Sequence, residues 1–277
     1  MKILAFDIGG TNIKYAVCNE RFELGELQSI PTQAAKGGQH IINTIIEIIA
    51  SYDDIDRVAI STAGQVDSEN GIVVYSSDNI PYYTGMLVKK IVETKTGIPT
   101  IVENDVNAAA LGEAIFGAAK GYSDFVCLTF GTGIGGAIYV NNSLYKGCNS
   151  SAGEFGHIIT HAGGRPCPCG GEGCYEQYAS AKALTQAVEK VTGEEMNGFQ
   201  IFSKNSLLDP EIRHVVDTWI DEIIIGLKSI IYTFNPQLLV LGGGIMSEEY
   251  IIELIDRKIY KAVSYTHLRA HETGAYL

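Results

Sequence analysis

Twice in this chain a short apolar strand runs into a glycine-rich turn and a second strand leaves it, and no other feature limits the fold as strongly. The first copy takes residues 2–6, the turn DIGGTNIK (7–14) and residues 15–18; the second takes residues 125–129, GTGIGG (131–136) and residues 137–140. Apolar, β-branched runs of this length predict buried strands, so the repeat predicts two phosphate-binding hairpins. Residues 57–61, 100–102 and 238–241 predict further strands. Helical spacing appears over 39–50, where Ile41, Ile42, Ile45, Ile46 and Ile49 share a face, and over 106–116, 179–191, 211–234 and 248–260. Strands alternating with helices predict an α/β architecture. A length of 277 residues suits two lobes, 1–120 and 121–263, divided near Gly121.

Composition narrows the function. The net charge of −12 is spread along the chain, which disfavours nucleic acid and anionic membrane as partners and leaves small-molecule chemistry. No run approaches the roughly 20 apolar residues of a membrane span, and the chain opens on a strand pattern with no basic-then-apolar leader, so a cytoplasmic location is expected. Residues 264–277 show no period and resemble the translation of a sequencing adaptor; the native frame is expected to end near Val263.

In the first turn Gly9 and Gly10 allow backbone N–H groups to face a phosphate. Thr11 adds a hydroxyl, Lys14 closes the motif, and Asp7 offers a carboxylate for a Mg²⁺-bound water. A plain hairpin turn is the competing reading, at near even odds for this motif alone. In the second, Gly131, Gly133 and Gly136 match a dinucleotide pattern, but AIYV follows, a strand where that pattern needs a helix. The loop, with Thr132 and Gly135, therefore predicts a phosphate cradle and disfavours a nicotinamide enzyme. Gly242, Gly243 and Gly244 sit between a strand and a helix beginning near Ser247, a context for close nucleotide approach.

Between the first two loops, ENDVNAAALGE places Asn104 and Asp105 where a strand passes into an alanine-rich helix. Asp105 there either accepts a proton from a substrate hydroxyl, with the Asn104 amide holding another hydroxyl, or merely caps the helix. Taken alone, the cap is favoured. The sharpest signal is GEFGHIITHAGGRPCPCGGEGCYEQYAS, in which His157, Cys167, Cys169 and Cys174 make a closed Cys₃His set suited to structural Zn²⁺. Reduced thiols in a loop are the alternative. His161 is assigned to solvent or a backbone hydrogen bond. Glu154 and Glu176 flank the set and are expected to approach each other as it closes, each gripping sugar hydroxyls; ordinary surface acids are the other reading.

Together these residues resemble the bacterial repressors, open-reading-frame proteins and sugar kinases called ROK, within the actin/hexokinase superfamily. The resemblance implies a two-lobed, ribonuclease H-like fold with mixed sheets flanked by helices, acting as an ATP-dependent sugar kinase. It implies that Asp7–Thr11 and Gly131–Gly136 cradle phosphates, that Gly242–Gly244 meets the adenosine, and that Asp105 is the general base. Gly64, Asn79, Asn104, Glu154, His157 and Glu176 then contact sugar, with His157 serving zinc as well. Gln65 stands where relatives often have proline, and its contact stays open. ATP, Mg²⁺, structural Zn²⁺, a hexose such as glucose phosphorylated at C6, and a homodimer are the expected cofactors, substrate and assembly. N-acetylmannosamine, N-acetylglucosamine or fructose remain alternative acceptors. With Asp7 so near the start, the DNA-reading module of the repressors is not expected.

Overall fold

The first glycine turn joins β1 (Lys2–Ile8) to β2 (Asn12–Asn19), antiparallel neighbours that pair from Lys2 with Asn19 to Ile8 with Ile13. In the computed structural model, which describes residues 1–77, 79–203 and 206–263, the chain divides into two compact units. One contains Met1–Ala108 with Gly147–Ser151, and the other Ala109–Lys146 with the chain from Ala152 on. The division therefore falls inside a helix, upstream of Gly121. The suspected non-native segment, 264–277, lies outside the described residues.

In the first unit the sheet runs β3-β2-β1-β4-β7, built from β3 (Gln28–Pro31), β4 (Arg57–Thr62) and β7 (Thr100–Asn104) around the hairpin. The β1, β4 and β7 strands are parallel, and the alternation in β1 buries Leu4, Phe6 and Ile8. Against that face packs α1 (Gly38–Ala50), whose Ile41, Ile42, Ile45 and Ile49 are buried at helical spacing, as predicted. A hairpin of β5 (Gln65–Asp67) and β6 (Ile72–Tyr75) and a short α2 (Val88–Thr96) complete the unit up to α3 (Asp105–Ile115). These two elements and β3 were not expected, because each is short and holds only two or three apolar residues in register.

The second unit repeats the scheme: β8 (Phe125–Phe130) turns back into β9 (Ile134–Val140), which pairs with β10 (Ser143–Leu144). The chain then forms α4 (Glu176–Ala179), α5 (Ala181–Thr192), α6 (Gly198–Ile201), α7 (Pro210–Phe234), β11 (Leu238–Gly242) and α8 (Glu249–Ala262). The order β10-β9-β8-β11, with β11 parallel to β8, reproduces the relation of β4 to the first hairpin. The helix expected over 179–191 is broken at Ser180, whose extended backbone and side-chain acceptance from Ala183 N–H make it the N-cap of α5. Asp209 caps α7 with Pro210 at its first position, and Asn235 ends it in the left-handed region. Between the third glycine loop and α8, residues Gly244–Ser247 form a 3₁₀ turn, so the helix expected from Ser247 begins at Glu249.

Candidate active site and metal centre

Asp105 is the first residue of α3, and Asn104 immediately before it is the cap. The Asn104 Oδ1 accepts from the N–H groups of Val106 (2.9 Å) and Asn107 (3.0 Å), the second and third helical residues. The same side chain donates from Nδ2 to Gly64 O and to Asp105 Oδ1, each at 2.8 Å. Both amide hydrogens and both oxygen lone pairs of Asn104 are thus engaged, so its expected sugar contact would have to displace one of these bonds. Gly64 supplies its carbonyl from a backbone at φ 101°, where an added Cβ would stand 2.6 Å from Tyr75 O, so only glycine fits the shelf.

Relieved of capping through its second oxygen, the half-buried Asp105 carboxyl is pushed up to about 6. Desolvation is the main cause, opposed by the Val106 N–H and reinforced by the charge of Asp7. Asp7, at the exposed end of β1, accepts from Ser61 Oγ at 3.3 Å. The turn after it is closed by Gly9 N–H on Asn12 O (3.0 Å) and held from outside by Thr32 Oγ1 on Gly9 O (2.7 Å). Gly10 and Thr11 are exposed at its tip, and Lys14 faces Asp7 across the β1–β2 register. Thr32 and Ser61 gave no motif signal in sequence. Asn79 is exposed in the turn that precedes the buried Tyr83, and Gln65 Oε1 accepts from Ser151 Oγ at 2.9 Å, the contact that sequence had left open.

In the second unit the two remaining glycine loops adjoin. Gly242 pairs with Thr129, and Gly243, at φ 101°, lies flat on the backbone of Phe130, just ahead of Gly131. The turn proper is Gly131–Gly133, closed by Gly131 N–H on Gly133 O at 2.9 Å, whereas Gly135 and Gly136 already belong to β9. Thr132 and Gly131 are exposed, and an added Cβ on Gly131 or on Gly244 would meet nothing within 4 Å. These are open backbone surfaces able to receive a phosphate or a nucleoside. A Cβ on Gly133 would stand 2.5 Å from Glu176 Oε2, so the metal loop's carboxylate rests against this turn.

The other Glu176 oxygen faces the cysteines. Oε1 lies 3.5 Å from Cys167 Sγ and 4.0 Å from His157 Nδ1, and Gln177 Nε2 donates to both Glu176 Oε1 (3.2 Å) and Cys167 Sγ (3.6 Å). The ligand atoms of His157, Cys167, Cys169 and Cys174 all lie within 4.8 Å of one another. Cys169 and Cys174 sulfurs are 3.6 Å apart, and Cys167 Sγ is 3.7 Å from His157 Nδ1. Tetrahedral zinc bonds imply about 3.8 Å between sulfurs and about 3.6 Å from sulfur to nitrogen. A disulfide would need about 2.05 Å, so the donors fit an ion and not a bridge. With Nδ1 turned to the thiols, the exposed His157 ring keeps Nε2 outward. Glu154 is exposed and opens the short 3₁₀ turn Phe155–His157. Gln177 was not foreseen, though an amide beside the last cysteine is a recognisable partner for a ligating thiolate. His161 departs from expectation: it stacks on Tyr178 and faces Glu222 at 3.5 Å. Cys148, placed near a strand by sequence, is exposed in a loop.

Two hairpins of one topology, a half-buried carboxyl at a helix start beside the first and a closed Cys₃His set beside the second, define the class of actin/hexokinase-type sugar kinases. A beta-glucoside kinase of Listeria innocua is 33% identical over 258 residues, covering 92% of this chain and 86% of its own. A glucokinase of Streptomyces coelicolor is 32% identical over 278 residues, covering 93% and 86%. The crystal structure of a ROK family glucokinase from Streptomyces griseus in complex with glucose and AMPPNP superposes with a TM-score of 0.84 at 30% identity, over 99% of this chain and 93% of that one. The chain belongs to the ROK family, which it matches over residues 3–273. Among the described residues no helix is long and apolar enough to cross a membrane.

Proposed function

We propose that this protein phosphorylates a hexose with ATP, glucose at the C6 hydroxyl being the first candidate, and that Asp105 is the general base. The observation that carries the reading is the division of labour at the start of α3. Asn104 caps the helix, leaving the desolvated Asp105 carboxyl, raised to about 6, able to take a proton at neutral pH. One Asp105 oxygen is held by Asn104 and the Val106 N–H, and the other receives the proton of the sugar hydroxyl as that oxygen attacks the γ-phosphate. The Gly9–Thr11 and Gly131–Gly133 turns cradle the transferred and leaving phosphates through backbone N–H groups, and Gly242–Gly244 accommodates the adenosine. Lys14, facing Asp7 across the strand pair, adds a cation to the first loop. Asp7 holds the water shell of the Mg²⁺ that accompanies ATP, an ion whose chemistry is to neutralise charge on the phosphates.

His157, Cys167, Cys169 and Cys174 hold a structural zinc, which ties down the loop carrying Glu176. Gly64, Asn79, Asn104, Glu154, His157 and Glu176 make up the sugar end. His157 serves with its outward Nε2, and Asn104 serves chiefly by orienting Asp105. The protein works as a cytoplasmic homodimer on a small-molecule sugar, with no nucleic acid or membrane partner. The name of the Listeria innocua relative brings substituted glucose into range as a second acceptor class.

A sugar panel with MgATP and a coupled ADP readout tests the reading. Glucose, a β-glucoside, N-acetylmannosamine, N-acetylglucosamine and fructose are compared, and glucose or a glucoside is expected to give the highest kcat/KM. No ADP release with any sugar would overturn it.

A further inference from the structure

The loop that carries the cysteines is seated on α7 at two points. Tyr175, fully buried next to Cys174, lays its ring against Gly226, where no side chain intervenes, and donates its hydroxyl to Ile223 O at 2.8 Å. One turn away along the same helix is Glu222, whose Oε2 is buried and accepts no hydrogen bond. The one cation-forming group beside it among the described residues is His161, with Nε2 at 3.5 Å.

His161 is itself held on every side. Its ring stacks on Tyr178 at 3.9 Å and 16°, and the far side of Tyr178 is the platform for Arg165, whose Cζ sits 4.5 Å from the ring centre. Arg165 also donates its N–H to Tyr178 Oη (2.6 Å) and its Nη1 to Gln177 O (2.7 Å). Thr160 Oγ1 lies 3.1 Å from His161 Nδ1; with the hydroxyl donating there, Nε2 carries the ring proton toward Glu222. The His161 N–H meets Gly173 O at 3.2 Å, so the same residue links the strand leaving His157 to the one entering Cys174.

We propose that His161 is a positioning residue: clamped between Tyr178 and Glu222, it seats the metal loop on α7 and sets how long the ion stays. The inference rests on the Cys₃His set binding zinc. A buried carboxylate left without a partner is costly, so Glu222 holds its histidine, and the histidine holds the two loop strands that present the ligands. Groups one layer outside a metal's ligands commonly change its affinity by about 10- to 100-fold. His161 lies in that layer without touching the ion.

The test times zinc transfer from loaded protein to excess chromogenic chelator under native conditions. His161→Ala and Glu222→Gln are each expected to speed release by about ten-fold, and the double variant no more than the faster single one, since both break one contact. His161→Phe, which keeps the stacking on Tyr178 and loses the pairing, should release zinc nearly as fast as His161→Ala and serves if the alanine variant does not fold. Zinc bound by the wild type but released at an unchanged rate by these variants, or single effects that multiply in the double, would overturn the inference and leave the kinase reading intact. A wild-type chain that retains no zinc would overturn the metal reading and this inference with it.

Discussion

Asn104 Nδ2 donates to Asp105 Oδ1 at 2.8 Å while Asn104 Oδ1 caps the helix that Asp105 begins. One side chain therefore does what a lone Asp105 would otherwise do, and turns the freed carboxyl into a usable base.

Removing that side chain should cost stability and rate together. Asn104→Ala is expected to lose about 1 kcal/mol from the cap, measured by denaturant unfolding. Asn104→Asp keeps the cap but replaces the donor with a like charge, which raises the Asp105 carboxyl further. The acid limb of the kcat/KM profile should shift to higher pH in Asn104→Asp; an unmoved limb would detach Asn104 from the base.

The wild-type profile should show that acid limb near pH 6, the value to which burial raises Asp105. Stability should move oppositely. A carboxyl raised above its unfolded value of about 4 binds more proton folded than unfolded between about pH 4 and pH 6, so stability falls as pH rises through that window. Asp105→Asn removes the slope and should be more stable than wild type at pH 8, by on the order of 2 kcal/mol. Equal unfolding curves at pH 8 would contradict the desolvation.

The glycines separate cradle from packing. Gly10 has open space around it, so Gly10→Ala should leave stability within about 0.5 kcal/mol and raise the KM for ATP. Gly136→Ala drives a Cβ into the Phe155 ring and to 2.5 Å from Gly153 O, and should destabilise by about 1–3 kcal/mol. A Gly10→Ala enzyme with unchanged KM for ATP would remove the first turn from the phosphate site.

Cys169→Ser leaves three ligands of the four. Elemental analysis should find one equivalent of zinc in the wild type and close to none in the variant, with a raised KM for sugar because Glu176 rests on Cys167. Unchanged sugar affinity in the metal-free variant would contradict the bracing role.

Much of this was visible in the residues. The isoleucine stripe of α1 and the twin glycine hairpins are periodic signals that local sterics enforce, and the Cys₃His set is a matter of spacing. What was hidden depended on side-chain geometry across the chain. Nothing local to Asn104 says that its amide is consumed by Gly64, forty residues away, or that Thr32 clasps the first turn. Ser180 splits a helix that apolar spacing draws as continuous, because a serine can satisfy the Ala183 N–H and start a new one. His161 seemed a surface residue, since its partner Glu222 arrives from a helix sixty residues on.

The most direct test of the account is single-turnover phosphorylation of glucose by Asp105→Asn at saturating MgATP and pH 8, with glucose binding measured on the same protein. Transfer at least about 100-fold slower than wild type, with the glucose Kd nearly unchanged, is the predicted result. Near-wild-type transfer by the variant would reduce Asp105 to a structural residue and contradict the mechanism.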